Sequence, residues 1–207
     1  MPPERLRDIV PEYHSGNPLV RWVFRRRVDL ALELARLDGA DSMDILDLGC
    51  GEGVLLRAIG ERFPAHRMTG ADFHPDVERL ELPQVRALRV DFMRENPFPE
   101  AAFDRVFCMD VLEHVEDLSR PLALIRRALK PGGRFVISAP TENFAHQFSR
   151  FLIKGTFSEK AGPAASPHYH KADTLCAAIN KHNFMLEEVR SIPLPGPLAL
   201  NQVCSFI

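Results

Sequence analysis

The segment Asp47-Leu48-Gly49-Cys50-Gly51-Glu52-Gly53 constrains this chain more than any other. It follows Asp44-Ile45-Leu46-Asp47-Leu48, which reads as a strand, and precedes a helical pattern over 54–63. Glycines at these positions let the backbone turn tightly between strand and helix, and they leave room for a ligand to approach the main chain. The spacing is G-x-G-x-G. It departs from the dinucleotide fingerprint G-x-G-x-x-G, because Val54 stands where the last glycine would fall. No Gly-Lys-Ser/Thr follows, so it is not a phosphate-binding Walker loop either. The plain alternative is a glycine-rich turn with no ligand.

The rest of the chain repeats the strand-then-helix pattern. Residues 18–37 carry apolar residues at helical spacing, with Pro18 suited to a first turn and Gly39 to a stop. Short strands are expected at 67–71, 85–90 and 103–109, then a helix at 118–129, a strand at 134–139 and a helix at 172–182. Two more strands are expected at 184–192 and 199–207. Strands alternating with helices predict an α/β fold, a parallel sheet with helices on both faces. Such sheets bind ligands at the carboxyl ends of their strands, near the point where strand order reverses. The glycine loop, Asp72, Asp91 and Asp110 all fall at such ends.

Bulk properties narrow the class. The 207 residues suit one domain, 45% of them are hydrophobic, and the formal net charge is -2, which gives no electrostatic case for a nucleic-acid partner. Cys50, Cys108, Cys176 and Cys204 lie far apart with no C-x-x-C pair, as expected of reduced thiols in a cytoplasmic protein. No apolar run reaches membrane-spanning length, and the first residues are too polar for a signal peptide.

Asp72 ends the second strand, where a carboxylate can accept both hydroxyls of a ribose. Asp91-Phe92 ends the third, offering a carboxylate for an exocyclic amine and a ring to cover a purine. Either aspartate could instead cap the following turn. With these residues in place, the strings DILDLGCGEG, TGADFHP, VDFMRENPFPEAAFDRVFCMDVLEHV and LKPGGRFVISAP together resemble class I S-adenosylmethionine-dependent methyltransferases over most of residues 44–140. The resemblance implies a Rossmann-like, doubly wound, seven-stranded, mostly parallel sheet with the last strand antiparallel. It implies that Asp47, Gly49, Cys50, Gly51 and Gly53 line the methionine portion of S-adenosylmethionine. It also implies Asp72 and Phe73 on the ribose side, Asp91 and Phe92 around the adenine, and Cys108, Met109 and Asp110 beside the methionine. LKPGG resembles the family's turn before strand five and reads as a tight reversal.

Asn17-Pro18-Leu19-Val20-Arg21 resembles the leading segment of ubiquinone-type O-methyltransferases, which implies that Arg21 clamps the carboxylate of the methyl donor. The other reading makes Arg21, Arg25, Arg26 and Arg27 one solvated helix face. On the family pattern, residues 1–40 form an arm and helix over the cofactor site. Residues 41–207 form the methyltransferase domain, with a lid-like insertion at about 141–171.

The expected acceptor is a small molecule, apolar or aromatic, methylated at oxygen or carbon. His114, after strand four, is the candidate base, and a structural histidine is the alternative. Asp110, Glu113 and His114 also resemble a cluster linked to magnesium in ubiquinone O-methyltransferases, with Asp in place of Glu at the first position; a metal is not expected. Within the insertion, Phe144, Phe148 and Phe151 make an apolar stripe. His146, Phe148 and His170 are candidate acceptor contacts. A histidine pair for zinc in His168-Tyr169-His170 finds no cysteine or acidic companion nearby in the sequence. Three other readings stand beside the small-molecule enzyme: a methyltransferase acting on a macromolecule, a donor-binding partner subunit without catalysis, and a Rossmann dehydrogenase.

Overall fold

Adjacent residues of the central strands bury themselves on opposite sides of one sheet. Ile45, Phe107, Val136 and Val203 join one buried cluster, while their neighbours Leu46, Val106, Cys108, Ile137 and Cys204 join the other. This is the period of two that a strand imposes, with both faces apolar because both are covered. The computed structural model describes residues 11–38, 42–141, 168–196 and 199–207.

The elements run α1 (Pro18–Ala35), β1 (Asp44–Leu48), α2 (Val54–Arg62), β2 (Arg67–Asp72), β3 (Val85–Arg89), β4 (Phe103–Met109), α3 (Ser119–Ala128), β5 (Leu129–Pro140), α4 (Ala172–Lys181), β6 (Leu186–Ile192) and β7 (Asn201–Phe206). The seven strands form one sheet in the order β3-β2-β1-β4-β5-β7-β6. β1 to β5 pair in parallel, and β7 runs antiparallel to both β5 and β6. The buried faces of α1 and α2 pack on one side of the sheet, and those of α3 and α4 on the other. The expected doubly wound architecture is therefore present. Its strand order reverses between β1 and β4, so the crevice at the carboxyl ends of those two strands is where a ligand belongs.

Local signals account for the helix starts. Pro18 opens α1 behind Asn17, whose side chain accepts a hydrogen bond from the Leu19 N–H at 2.9 Å. α1 ends at Arg36, whose left-handed backbone closes the last turn without a glycine.

One expected feature is corrected. LKPGG does not reverse the chain; it is the beginning of β5. Phe103 pairs with Leu129 and Arg105 with Arg134, so residues 130–133 bulge out between two paired positions. Lys130 anchors that bulge, its Nζ donating to Asp104 at 2.7 Å and to Asp44 at 3.2 Å. The proline and glycines thus fit a bulge at the strand entrance, not a hairpin.

Candidate functional site

The glycine loop enters the crevice directly from β1. Gly49, Gly51 and Gly53 all have positive φ (77°, 51° and 74°). At Gly49 the requirement is doubly strict, because an added Cβ would lie 2.3 Å from Val111 Cγ2 across the crevice. The N–H groups of Gly49 and Cys50 donate to the Ala71 carbonyl at 2.7 and 3.2 Å, which fastens the loop to β2.

Asp72 holds the loop from the other side. Its Oδ2 accepts from the Gly51 N–H and its Oδ1 from the His74 N–H, both at 2.9 Å. A carboxylate has lone pairs beyond these two, so Asp72 keeps acceptor capacity toward a ligand. Asp47, at the penultimate position of β1, is 2% exposed. Burial, and then the charge of Asp72, push its carboxyl up to about 8. A site holding two neighbouring buried acids, one of them reluctant to ionise, is complemented by a cation. That is the electrostatic demand a sulfonium or ammonium ligand would meet.

Beside them, at the ends of β2 and β3, a cavity of about 550 Å³ is lined by Phe73, Arg89, Asp91, Arg94 and Glu95. Phe73 is 70% exposed, whereas Phe92 is buried in the same core cluster as Phe98 and Leu118. The open ring at this end is therefore Phe73. Asp91 caps the turn after β3, accepting from the Met93 N–H at 3.1 Å, and its other oxygen lies 3.2 Å from Arg94 Nε.

Cys50 and Cys108 are buried free thiols. Burial raises both well above the ordinary thiol value, with Asp47 adding to the rise in each. Cys108 and the half-buried Met109 close β4 on opposite faces of the sheet. Asp110, next along, turns to φ 55° and holds two partners: Arg27 Nη1 lies 2.6 Å from Oδ2, and Ser138 Oγ donates to Oδ1 at 2.8 Å.

Arg27 corrects the reading of the basic residues in α1. It does not belong to a solvated face. It is 3% exposed, its guanidinium lies 3.8 Å from the Phe24 ring centroid, and its Nε and Nη2 have no hydrogen-bond partner among the described residues. The physical reason is helical phase: Arg27 shares the buried side of α1 with Val20, Val23 and Leu34, while Arg25 points outward. Arg21 is engaged elsewhere, donating from Nη1 to the Ser15 carbonyl.

Three more residues missed in the sequence complete this end. Tyr13 stacks edge-on against Phe24, and burial raises its phenol despite the nearby Arg27 charge. His14 Nε2 lies 2.7 Å from Oε1 of the buried Glu52, so the arm is tied down on the glycine loop. Their only sequence signal was an acid inside a glycine loop, which the fold buries.

On the far side of Asp110, a short 3-10 turn carries Glu113 and His114. The Tyr169 and His170 N–H groups reach the Glu113 carbonyl at 2.7 and 3.4 Å, which draws His168 alongside. The His114 and His168 rings lie 4.7 Å apart, and one ligand atom from each of Glu113, His114 and His168 lies within 4.8 Å of the others. The fold thus brings the buried Glu113 to His168 as an acidic companion. His170 turns away, its Nε2 lying 3.4 Å from the Glu116 carbonyl. His146, Phe148 and the lid stripe lie outside the described residues. The aspartate-centred magnesium arrangement does not fit, because both Asp110 oxygens are already engaged, one by Arg27 and the other by Ser138.

Comparison with known proteins agrees with this fold. A family model described as a methyltransferase domain matches residues 20–189. The chain is 36% identical over 142 residues to a demethylmenaquinone methyltransferase of Thermus thermophilus, covering 63% of this chain and 61% of that one. The chain thus spans about three fifths of the length of that relative. It is 31% identical over 189 residues to a ubiquinone biosynthesis O-methyltransferase of Xanthomonas campestris, covering 85% of this chain and 72% of the relative. Among solved structures, magnesium protoporphyrin IX methyltransferase from Synechocystis, with bound S-adenosylhomocysteine, superposes with a TM-score of 0.68 at 16% identity, covering 98% of this chain and 92% of that one. The chain belongs to the class I S-adenosylmethionine-dependent methyltransferases.

Proposed function

We propose that the protein transfers a methyl group from S-adenosylmethionine to an apolar or aromatic small molecule. The observation that carries this reading is the crevice at the strand-order reversal, where the buried acids Asp47 and Asp72 meet the glycine loop. When bound, S-adenosylmethionine supplies an activated methyl group on a sulfonium leaving group. The chain's own contribution is to bind, orient and exclude water.

In this reading the glycine loop and Asp47 face the cationic part of the donor. Asp72 takes the ribose hydroxyls, and Phe73 with Asp91 takes the adenine. Arg27, and not Arg21, meets the donor carboxylate. Two buried N–H directions without partners are expensive to leave empty, and a carboxylate fits their planar fork. Tyr13 and His14 close the arm over this end. The acceptor side begins beyond Asp110, at the Glu113, His114 and His168 cluster, so the base role expected of His114 falls within a group and not on an isolated ring.

The acceptor class rests on the relatives named for ubiquinone and demethylmenaquinone methylation. Among the described residues no helix is long and apolar enough to cross a membrane. The test is calorimetric titration with S-adenosylmethionine, S-adenosylhomocysteine and NAD, on wild type and Asp72→Ala, followed by a screen of hydroxylated and quinone-type ring acceptors. Binding of both adenosyl ligands but not NAD, weakened in the variant, is the expected result. NAD binding in their place would overturn the reading, and donor binding without turnover of any acceptor would favour the non-catalytic subunit.

A further inference from the structure

Glu113, His114 and His168 come from two separate stretches of chain, and the fold makes them converge. The first two sit on the turn after β4, with Glu113 buried and His114 half-buried. His168 arrives on the segment entering α4, held in register by the Tyr169 and His170 N–H groups on the Glu113 carbonyl. That main-chain clamp fixes the distance between the two stretches. It leaves the three side chains facing one another, with ligand atoms no more than 4.8 Å apart.

The geometry points to a binding site for one divalent transition-metal cation of the zinc class, held by Glu113, His114 and His168 and excluding Asp110. Two imidazoles and one carboxylate suit zinc, cobalt or iron far better than magnesium, which seeks oxygen ligands in a near-octahedral shell. Ligand atoms about 2.1 Å from a tetrahedral zinc ion are about 3.4 Å apart, so the widest pair closes by up to about 1.4 Å. Rotation of the half-buried His114 and His168 rings about χ1 and χ2 supplies that movement. Three protein ligands leave a coordination position open toward the acceptor side.

Asp110 stays outside because Arg27 and Ser138 occupy its two oxygens. With a cation on its ring nitrogen, His114 does not accept a proton, so the site replaces the general-base role expected of that histidine. The inference rests on the cluster alone and stands whether or not the proposed acceptor is right.

The test uses the full chain stripped of metal with a chelator, titrated with Co²⁺ as a spectroscopic probe and then with Zn²⁺ or Mg²⁺. The expected result is one Co²⁺ per chain with ligand-field absorption of a nitrogen-containing site. Zn²⁺ displaces it, and a large excess of Mg²⁺ does not. His168→Ala weakens Co²⁺ binding by more than the roughly tenfold to hundredfold that losing a mere outer-shell partner costs. Glu113→Gln does the same and serves as a second variant should the first fold poorly. S-adenosylhomocysteine affinity, measured on the same samples, reports the donor site separately, so a failed metal site is not confused with a failed methyltransferase. Absence of stoichiometric Co²⁺ binding, displacement by Mg²⁺, or full binding in a folded His168→Ala variant would overturn the assignment.

Discussion

Arg27, buried in α1, holds Asp110 at the carboxyl end of β4 through an ion pair of 2.6 Å. The two partners are not equally protected. Arg27 is almost fully buried, whereas the Asp110 side chain is 27% exposed. Burial works against the arginine's charge, and Asp110 is the main group that offsets it. Removing either partner strands the other, but with different consequences.

Asp110→Asn leaves a guanidinium in the interior without its main counter-charge, and costs about 3 kcal/mol. Arg27→Met leaves a carboxylate that water still reaches, and costs about 1–2 kcal/mol after allowing for that screening. Urea denaturation at neutral pH measures both. The reverse order would mean that Arg27 is held by its contacts with Tyr13 and Phe24 and not by the ion pair.

The same arginine separates two accounts of donor recognition. Arg27→Lys keeps the charge and loses the fork, and should weaken S-adenosylhomocysteine binding by about tenfold or more. Arg21→Ala, which removes only a bond to the Ser15 carbonyl, should leave affinity within about twofold, as surface changes usually do. Calorimetry on the two variants decides it, and a larger loss in Arg21→Ala would restore that residue as the clamp.

These residues also mark where the sequence stops being legible. The strands and the glycine loop were readable because each rests on a local pattern: a run of apolar residues, an aspartate or glycine at its end, a change of period from two to 3.6. β1 and β4 fall where those patterns place them. Arg27 was not readable, because Arg25, Arg26 and Arg27 look alike as letters and differ only in helical phase against a sheet. LKPGG reads as a reversal until Lys130 is seen to reach Asp44 and Asp104, which needs three strands in register. The convergence of His168 on Glu113 depends on a main-chain clamp between distant segments, and nothing in the spacing encodes it.

Asp47 should make stability and donor binding depend on pH. Its carboxyl is pushed up to about 8 in the folded chain, against roughly 4 for an unfolded aspartate. Between those values the unfolded state has released a proton that the folded state retains. Stability therefore falls as pH rises from about 4 to about 8 and levels off above. Asp47→Asn should flatten this slope in urea melts taken across that range; an unchanged slope would place the titration elsewhere. A cationic ligand beside Asp47 pulls its carboxyl down, so binding near neutral pH should release a proton. S-adenosylmethionine should release more than the uncharged-sulfur S-adenosylhomocysteine, read from binding heats in buffers of different ionisation enthalpy.

Gly49 is constrained by two separate costs, and a double-mutant cycle separates them. Its φ of 77° costs a residue with a side chain about 1–2 kcal/mol. A Cβ there would also meet Val111 Cγ2 at 2.3 Å, so something on one side of the crevice must move. Gly49→Ala should therefore destabilise by about 2–4 kcal/mol in the wild-type background, the sum of backbone strain and overpacking. In a Val111→Ala background the clash is gone and only the backbone cost of about 1–2 kcal/mol should remain. The difference, a coupling of about 1–2 kcal/mol, measures how closely the turn after β4 presses on the glycine loop. Equal costs in both backgrounds would show that the left-handed backbone alone demands glycine, and that Val111 yields without resistance.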